Sequence, residues 1–160
     1  MTDCSAENSK QCIAPAVMAC PENGARSKEV DILTVRSLVR RLPLGMPTTQ
    51  YYFCESRDCD VVYFGADPQA PMFRREDLLV RVGVKEESDP VPVCYCFGFS
   101  RKDIQDEIVE TGRSAIAQRI TAEVKEDRCA CEVKNPSGQC CLGDVRQVVR
   151  DCLHATAQIT

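Results

Sequence analysis

The sequence predicts an α+β fold in which a small β-rich half is followed by a helical half. Two runs of aromatic and β-branched residues, YYF at 51–53 and VVYF at 61–64, flank a polar turn and are typical of a β-hairpin. Beyond the prolines at 90 and 92, apolar residues recur every four positions, which indicates helices. The pattern changes in the segment ESDPVPV, and the boundary between the halves is predicted there.

The length and composition limit how the fold can be stabilised. The 160 residues suffice for one ordinary domain or two small ones. Cysteine accounts for 12 residues and the aromatic residues for only 6%, so the purely hydrocarbon core is modest. Something besides hydrophobic burial is therefore expected to help hold the chain together.

The charge and the cysteine count exclude several classes of protein. A formal net charge of −4 argues against binding to nucleic acid or to an anionic membrane. No apolar run approaches the ~20 residues of a membrane span, and the N-terminal stretch is too short and wrongly flanked for a signal peptide. We therefore expect a cytoplasmic protein, whose reduced thiols are metal ligands. The alternative, a secreted protein with disulfides, lacks a secretion signal.

The first elements are assigned from turn chemistry and periodicity. Residues 1–19 are polar and irregular, which predicts a flexible N-terminal arm. The β-rich half is placed at 20–88 and begins with the turn CPENG at 20–24. The segment VDILTV predicts a short strand, and apolar residues at helical spacing then continue up to Pro43.

The hairpin and its downstream segment complete the β-rich half. Cys54 and Cys59 lie at the two shoulders of the turn between the hairpin strands. Another strand is predicted at 78–84. The charged run KEESD at 85–89 is interpreted as a solvated link between the halves.

The helical half is placed at 89–153, with a tail at 154–160. Ser100 and Asp103 can cap its first helix. A serine hydroxyl accepts a hydrogen bond from an unpaired backbone N–H of the first turn, and a carboxylate is stabilised by the positive partial charge at a helix N-terminus. Gly112 interrupts the pattern. The apolar faces of the three predicted helices are Ile104 and Ile108, then Ile116, Ile120 and Val124, then Val145, Val148, Val149 and Cys152. The single histidine, His154, is interpreted as a solvated residue at a helix end.

A second group of cysteines lies around CYC at 94–96 and CC at 140–141. Cys94, Cys96 and Cys131 with one of the adjacent pair form a C-x-C motif and then a C-x8-C or C-x9-C motif. Thiols one residue apart face one centre only if the backbone curls, as a loop allows. Four thiolates suit either an iron–sulfur cluster or zinc. The nearby helix N-termini favour a multiply anionic centre, but the spacing leaves both metals open.

Longer stretches of the sequence resemble a known family. PVCYCFGFSRKDI and CEVKNPSGQCCLGDV resemble the N-terminal iron–sulfur domain of CopZ-type copper chaperones, and the C-x-C before a helix also resembles the bacterioferritin-associated ferredoxin domain. The likeness extends upstream through YYFCESRDCDVVYF and FRREDLLVRVGVKEESDPVPVCYC, and covers roughly residues 20–150. It implies a [2Fe–2S] cluster in the helical half and a mononuclear zinc in the β-rich half.

The resemblance also implies which thiols hold the cluster. Its cluster positions fall on Cys94, Cys96 and Cys131, and the last ligand falls in the adjacent pair, where Cys141 is preferred to Cys140. Adjacent side chains diverge, so only one of the two is expected to reach the same iron. Cys129 is a nearby alternate for Cys131.

For zinc, the resemblance leaves one ligand unassigned. The matching thiols are Cys20, Cys54 and Cys59. Asn23 departs from the family pattern, because it stands where a C-P-x-C knuckle has its second cysteine. The fourth ligand is Cys12, or less readily Cys4, unless water takes the position or the site is empty. A closed structural zinc is expected, since this half has little hydrocarbon core.

These observations imply a redox or metal-binding function. One terminal histidine cannot build a Ser-His-Asp or Cys-His site, and no Gly-rich phosphate loop is present. The resemblance implies electron transfer in the handling of copper or another soft metal, at most a reductase that converts Cu(II) to Cu(I). No C-x-x-C occurs in the sequence, so the expected partner is a separate metal carrier or redox protein. The alternatives are a non-enzymatic metal-binding or redox-sensing protein with a structural cluster, and an all-zinc protein.

Overall fold

A five-stranded antiparallel sheet organises the first half of the chain. The computed structural model describes residues 15–158. The strands lie in the spatial order of the sequence and are β1 (Val17–Ala19), β2 (Arg26–Val30), β3 (Tyr51–Phe53), β4 (Val61–Gly65) and β5 (Phe73–Arg74). The predicted hairpin is confirmed as β3 and β4, which pair antiparallel with Tyr52 opposite Phe64.

The two faces of the sheet are both covered. Alternation along β3 sends Tyr51 and Phe53 into a larger apolar core and Tyr52 into a smaller one on the other face. The smaller core also contains Cys20, Cys54 and Cys59. The cysteines therefore complete a core that has few hydrocarbon side chains of its own.

The helix α1 (Ile32–Leu38) overturns the strand predicted for VDILTV. Asp31 accepts a hydrogen bond from the backbone N–H of Leu33 at 2.7 Å and so caps the helix at its first turn. The buried residues Thr34, Val35 and Leu38 follow helical spacing. The β-branched residues of this segment suit a strand locally, but the cap and one-sided burial favour the helix.

Two other predictions for the first half were wrong. Residues Val17–Ala19, predicted to be part of an irregular arm, form the edge strand β1. Within 78–84 only Leu78 forms a β-bridge, to Val39, and Gly83–Lys85 is a 3-10 turn. Leu78 and Val82 instead pack into the larger core. The limits at 20, 89 and 154 stay predictions.

The second half contains a small hairpin followed by four helices. The hairpin consists of β6 (Pro92–Cys94) and β7 (Phe99–Ser100), and the helices are α2 (Arg101–Thr111), α3 (Ile116–Lys125), α4 (Cys131–Lys134) and α5 (Leu142–Ala157). The predicted cap of α2 is confirmed, because Ser100 Oγ accepts from the Asp103 N–H and an Asp103 carboxylate oxygen accepts from the Ser100 N–H. Helix α4 was not predicted. Within residues 15–158, none of these helices has the length and apolarity to cross a membrane.

Isoleucine and cysteine side chains share the core of the helical half. Ile104, Ile108, Ile116 and Ile120 are at most 2% exposed. They pack in the same cluster as Cys94, Cys131, Cys141 and Cys152. The packing role predicted for Cys152 is therefore confirmed, and His154 is exposed on α5 as predicted.

Buried hydroxyl groups join the two halves. Tyr63 of β4 donates to the carbonyl of Pro136 at 2.5 Å, and Thr34 of α1 donates to the carbonyl of Glu132 at 2.6 Å. Both acceptors lie between Cys131 and Cys141. The sheet half therefore fixes the segment that carries two of the predicted cluster ligands.

Gly83 allows a further close approach between the halves. Its N–H donates to the Tyr95 hydroxyl at 2.7 Å, and a Cβ on Gly83 would collide with the Pro92 carbonyl oxygen. We expect Gly83→Ala to lower the free energy of unfolding by about 2 kcal/mol, because backbone must move to admit the methyl group. Urea unfolding checks this against Gly143→Ala, whose added Cβ meets open space. Equal stability of the two variants would contradict it.

Candidate metal centres

Three thiols converge on one face of the sheet. Cys20 follows β1, Cys54 directly follows β3 and Cys59 lies shortly before β4. All three are buried, and their Sγ atoms lie within 4.8 Å of one another. The Sγ atoms of Cys20 and Cys59 are 3.8 Å apart, which matches the edge of about 3.8 Å for a tetrahedral zinc with Zn–S bonds of about 2.3 Å. This thiol trio fits a zinc ion.

A tight turn presents Cys20 to the other two thiols. The Cys20 N–H donates to the Ala25 carbonyl and the Gly24 N–H donates to the Cys20 carbonyl, both at 2.8 Å. Gly24 takes a φ of +73°, which a glycine adopts without strain. Asn23 Oδ1 accepts from the Ala25 N–H at 3.0 Å. The residue that replaces the expected knuckle cysteine is thus used to brace the turn.

The environment favours different protonation states in the trio. Burial disfavours the Cys20 thiolate, but backbone N–H groups of Glu22 and Asn23 and the other two thiols outweigh it and lower the pKa of Cys20. Burial raises the pKa of Cys59 to about 11. A bound dication is what stabilises all three as thiolates together.

Glu22 lies beside one thiol of the trio. Its Oε2 lies 4.0 Å from Cys59 Sγ. Arg74 donates to both carboxylate oxygens, at 2.8 and 2.9 Å, and this pairing lowers the pKa of Glu22. Sequence reasoning treated Glu22 only as part of a turn, since its proximity to Cys59 arises from strand pairing. Cys12 and Cys4 lie outside the described residues, so the fourth zinc ligand stays a prediction.

The second set of thiols lies in the core of the helical half. Cys94 ends β6, Cys96 lies in the following turn, Cys131 begins α4 and Cys141 immediately precedes α5. The Sγ atoms of Cys96 and Cys131 are 3.3 Å apart, and the Cys141 thiol interacts with the thiols of Cys94 and Cys131. The fold therefore brings together thiols that are up to 47 residues apart in the sequence, from Cys94 to Cys141.

Pairwise contacts link the four thiols in succession, Cys94 to Cys141, Cys141 to Cys131 and Cys131 to Cys96, and we call this set the row. Within residues 15–158, the zinc trio is the one group whose three donor atoms all lie within 4.8 Å of one another. No three thiols of the second set all lie within 4.8 Å of one another, so this set is more extended than the trio. A single tetrahedral ion needs every pair of sulfurs at about 3.8 Å, whereas a cluster with two irons spreads its four thiolates over both. The donor type and the extent of the row both fit a two-iron cluster.

Hydrogen bonds favour negative charge at the Cys94 end of this set, whereas the pKa values of Cys131 and Cys141 are raised. The pKa of Cys94 is lowered to about 6. The hydrogen bond with the Cys141 thiol has the largest effect, and backbone N–H groups of Cys96, Phe97 and Phe99 add to it. Together they outweigh burial, which alone would raise this pKa. The Ala130 N–H donates to Cys96 Sγ at 3.2 Å. Burial raises the pKa of Cys131 to about 12. One end of the row thus favours a thiolate even without metal.

The adjacent cysteines differ sharply in exposure. Cys141 is 1% exposed and packs in the core. Cys140 is exposed, and Cys129 is half-buried outside that core. The geometry places Cys141, and not Cys140, beside the thiols of Cys94 and Cys131.

Lys85 was misinterpreted from the sequence. The run KEESD indicated a solvated link, yet Lys85 is only 2% exposed. Its ammonium donates to the carbonyls of Ser56 and Cys59, next to the zinc trio. Composition carries no signal for this burial, because both acceptors belong to the distant turn between β3 and β4.

Comparison with known proteins agrees with this architecture. Residues 17–79 match a family model for CopZ zinc-binding domains, described as "Zinc binding domain". The chain is 37% identical over 125 residues to the copper chaperone CopZ of Archaeoglobus fulgidus. This alignment covers 78% of this chain and 58% of CopZ. It therefore spans somewhat over half the length of this relative.

A solved structure covers most of the chain. The X-ray structure of the Archaeoglobus fulgidus CopZ N-terminal domain aligns with a TM-score of 0.67 and 34% sequence identity, over 82% of this chain and 97% of that domain. The β-rich part followed by helices is common to both. Zinc is the cofactor that the family model and the cysteine trio support. The chain belongs to the family of CopZ N-terminal domains.

Proposed function

We propose that this protein transfers single electrons in the handling of copper or another soft metal, through a [2Fe–2S] cluster held by Cys94, Cys96, Cys131 and Cys141. The zinc of the β-rich half is structural in this proposal. The copper-related part of the proposal draws on the relative named a copper chaperone. The observation that carries the cluster is the extended row of four thiols, of which Cys94, Cys131 and Cys141 are at most 6% exposed.

The surroundings of the row suit electron transfer. A [2Fe–2S] cluster, when bound, supplies a carrier for one electron. Cys96 is only half-buried, so this end of the row lies near the surface, where a partner can approach. The Ala130 N–H that donates to Cys96 Sγ stabilises negative charge on that sulfur. In the proposed activity a redox partner protein loses one electron and Cu(II) gains it, becoming Cu(I), which thiolate carriers prefer.

Anaerobic purification followed by metal analysis tests this proposal. We expect two irons, two sulfides and one zinc per chain, and a brown protein that one electron reduces reversibly. The reduced protein should convert Cu(II) to Cu(I) in proportion to its cluster content, measured with a Cu(I)-specific chelator. A colourless protein with zinc in both sites would overturn the proposal. Variant Cys96→Ser serves as the control without a complete cluster.

A second function is a structural or redox-sensing cluster without electron delivery. The burial of three cluster cysteines among the core isoleucines favours it, because a cluster there would also hold the helices together. Repeated cycles of reduction and oxidation distinguish the two functions. Loss of iron within the first cycles would favour the structural or sensing function over electron transfer.

A further inference from the structure

Lys85 is the one charged residue within 15–158 that is buried. It is 2% exposed and ends the 3-10 turn Gly83–Lys85. Its Nζ atom donates to the carbonyl of Ser56 at 2.6 Å and to that of Cys59 at 2.8 Å. Both carbonyls belong to the turn that leads from Cys54 to Cys59. The ammonium therefore holds the segment between two of the zinc thiols.

No carboxylate balances this charge. Among the described residues, the ion pairs within 4.0 Å do not include Lys85. Burial lowers the pKa of Lys85, and the negative charge of the trio thiolates opposes that effect. An ion buried without a counter-charge costs several kcal/mol. The zinc trio is the source of negative charge beside it.

The charge of the metal centre favours the ammonium. Three thiolates and one Zn²⁺ ion carry a net charge of −1, and a fourth thiolate at the predicted position of Cys12 would make the centre more negative, so a positive charge beside it is stabilised in either case. Without the metal, the ammonium keeps its two carbonyl acceptors, and no carboxylate among the described residues pairs with it.

We propose that Lys85 is the positioning and charge-balancing residue of the zinc centre: it orients the segment from Cys54 to Cys59 through two carbonyls and offsets the negative zinc–thiolate charge. It favours the zinc-loaded state and destabilises the zinc-free state, and so makes folding of the sheet half depend on zinc. This inference is independent of the cluster and of electron transfer.

Zinc affinity and zinc-free stability of the full chain, measured together, test the proposal. Lys85→Met should bind zinc about tenfold more weakly or worse in competition with a chromophoric chelator. The zinc-depleted variant should be at least as resistant to urea as the zinc-depleted parent, since the unbalanced ammonium is gone. Lys125→Met, at an exposed position on α3, is the matched control and should change neither quantity.

Two outcomes would overturn the proposal. One is a zinc affinity of Lys85→Met within twofold of the parent. The other is an equal loss of zinc-free stability and of zinc affinity, as a purely structural side chain would produce. Lys85→Gln replaces the methionine variant if the latter does not fold, because it keeps an N–H donor but removes the charge, and the same weakening of zinc binding is expected. Zinc is counted separately from iron, so absence of the cluster leaves this test intact.

Discussion

Cys54→Ser is expected to abolish zinc binding and to unfold the β-rich half. Cys54 is 0% exposed, directly follows β3, and packs with Tyr52 and Phe64 in the small core behind the sheet. A serine there removes a thiolate ligand and leaves a hydroxyl in an apolar site. Structural zinc supplies about 10 kcal/mol or more to the folding of small zinc domains, so we expect a loss of at least about 3 kcal/mol in the free energy of unfolding.

Zinc content per chain and urea unfolding check this expectation. Cys129→Ser is the matched control, because Cys129 is half-buried and lies outside both thiol sets. It should retain one zinc and the parent stability. Retention of stoichiometric zinc by Cys54→Ser would contradict the assignment of the trio.

Local sequence patterns predicted the hairpin and its thiols. The runs at 51–53 and 61–64 are β-rich whatever surrounds them, and short antiparallel pairing then forces Cys54 and Cys59 to the same end of the hairpin. The third thiol, Cys20, came from resemblance to the family. The spacing of the cysteines alone could not predict this contact, because Cys20 and Cys59 are 39 residues apart in the sequence and their Sγ atoms are 3.8 Å apart in the structure.

The predictions that were wrong concern segments whose structure depends on contacts with residues far away in the sequence. The segment VDILTV has strand-forming residues, but Asp31 caps a helix whose Thr34 donates to the carbonyl of Glu132, 98 residues away. Lys85 is buried because its acceptors, the carbonyls of Ser56 and Cys59, lie in the hairpin turn. No local pattern distinguishes such a lysine from a solvated one.

Substitution of the adjacent cysteines, Cys140 and Cys141, is expected to have opposite effects on iron content. Cys141→Ser is expected to lose the iron, its visible absorption and its sulfide, whereas Cys140→Ser keeps all three. Cys141 lies in the core beside Cys94 and Cys131, while Cys140 faces solvent. Both variants should retain one zinc, because the trio lies on the sheet.

The serine substitution isolates the role of the thiolate at this position. Cys141 is the N-cap of α5 and makes no side-chain capping bond, so its replacement by serine removes no capping interaction. The start of α5 is thus not weakened by the change, and loss of iron reports the loss of a ligand. Helix content measured by circular dichroism on the iron-free forms of both variants checks that point. If Cys140→Ser loses the iron and Cys141→Ser retains it, the fourth ligand is the exposed cysteine, and the cluster lies nearer the surface than the core packing of Cys141 implies.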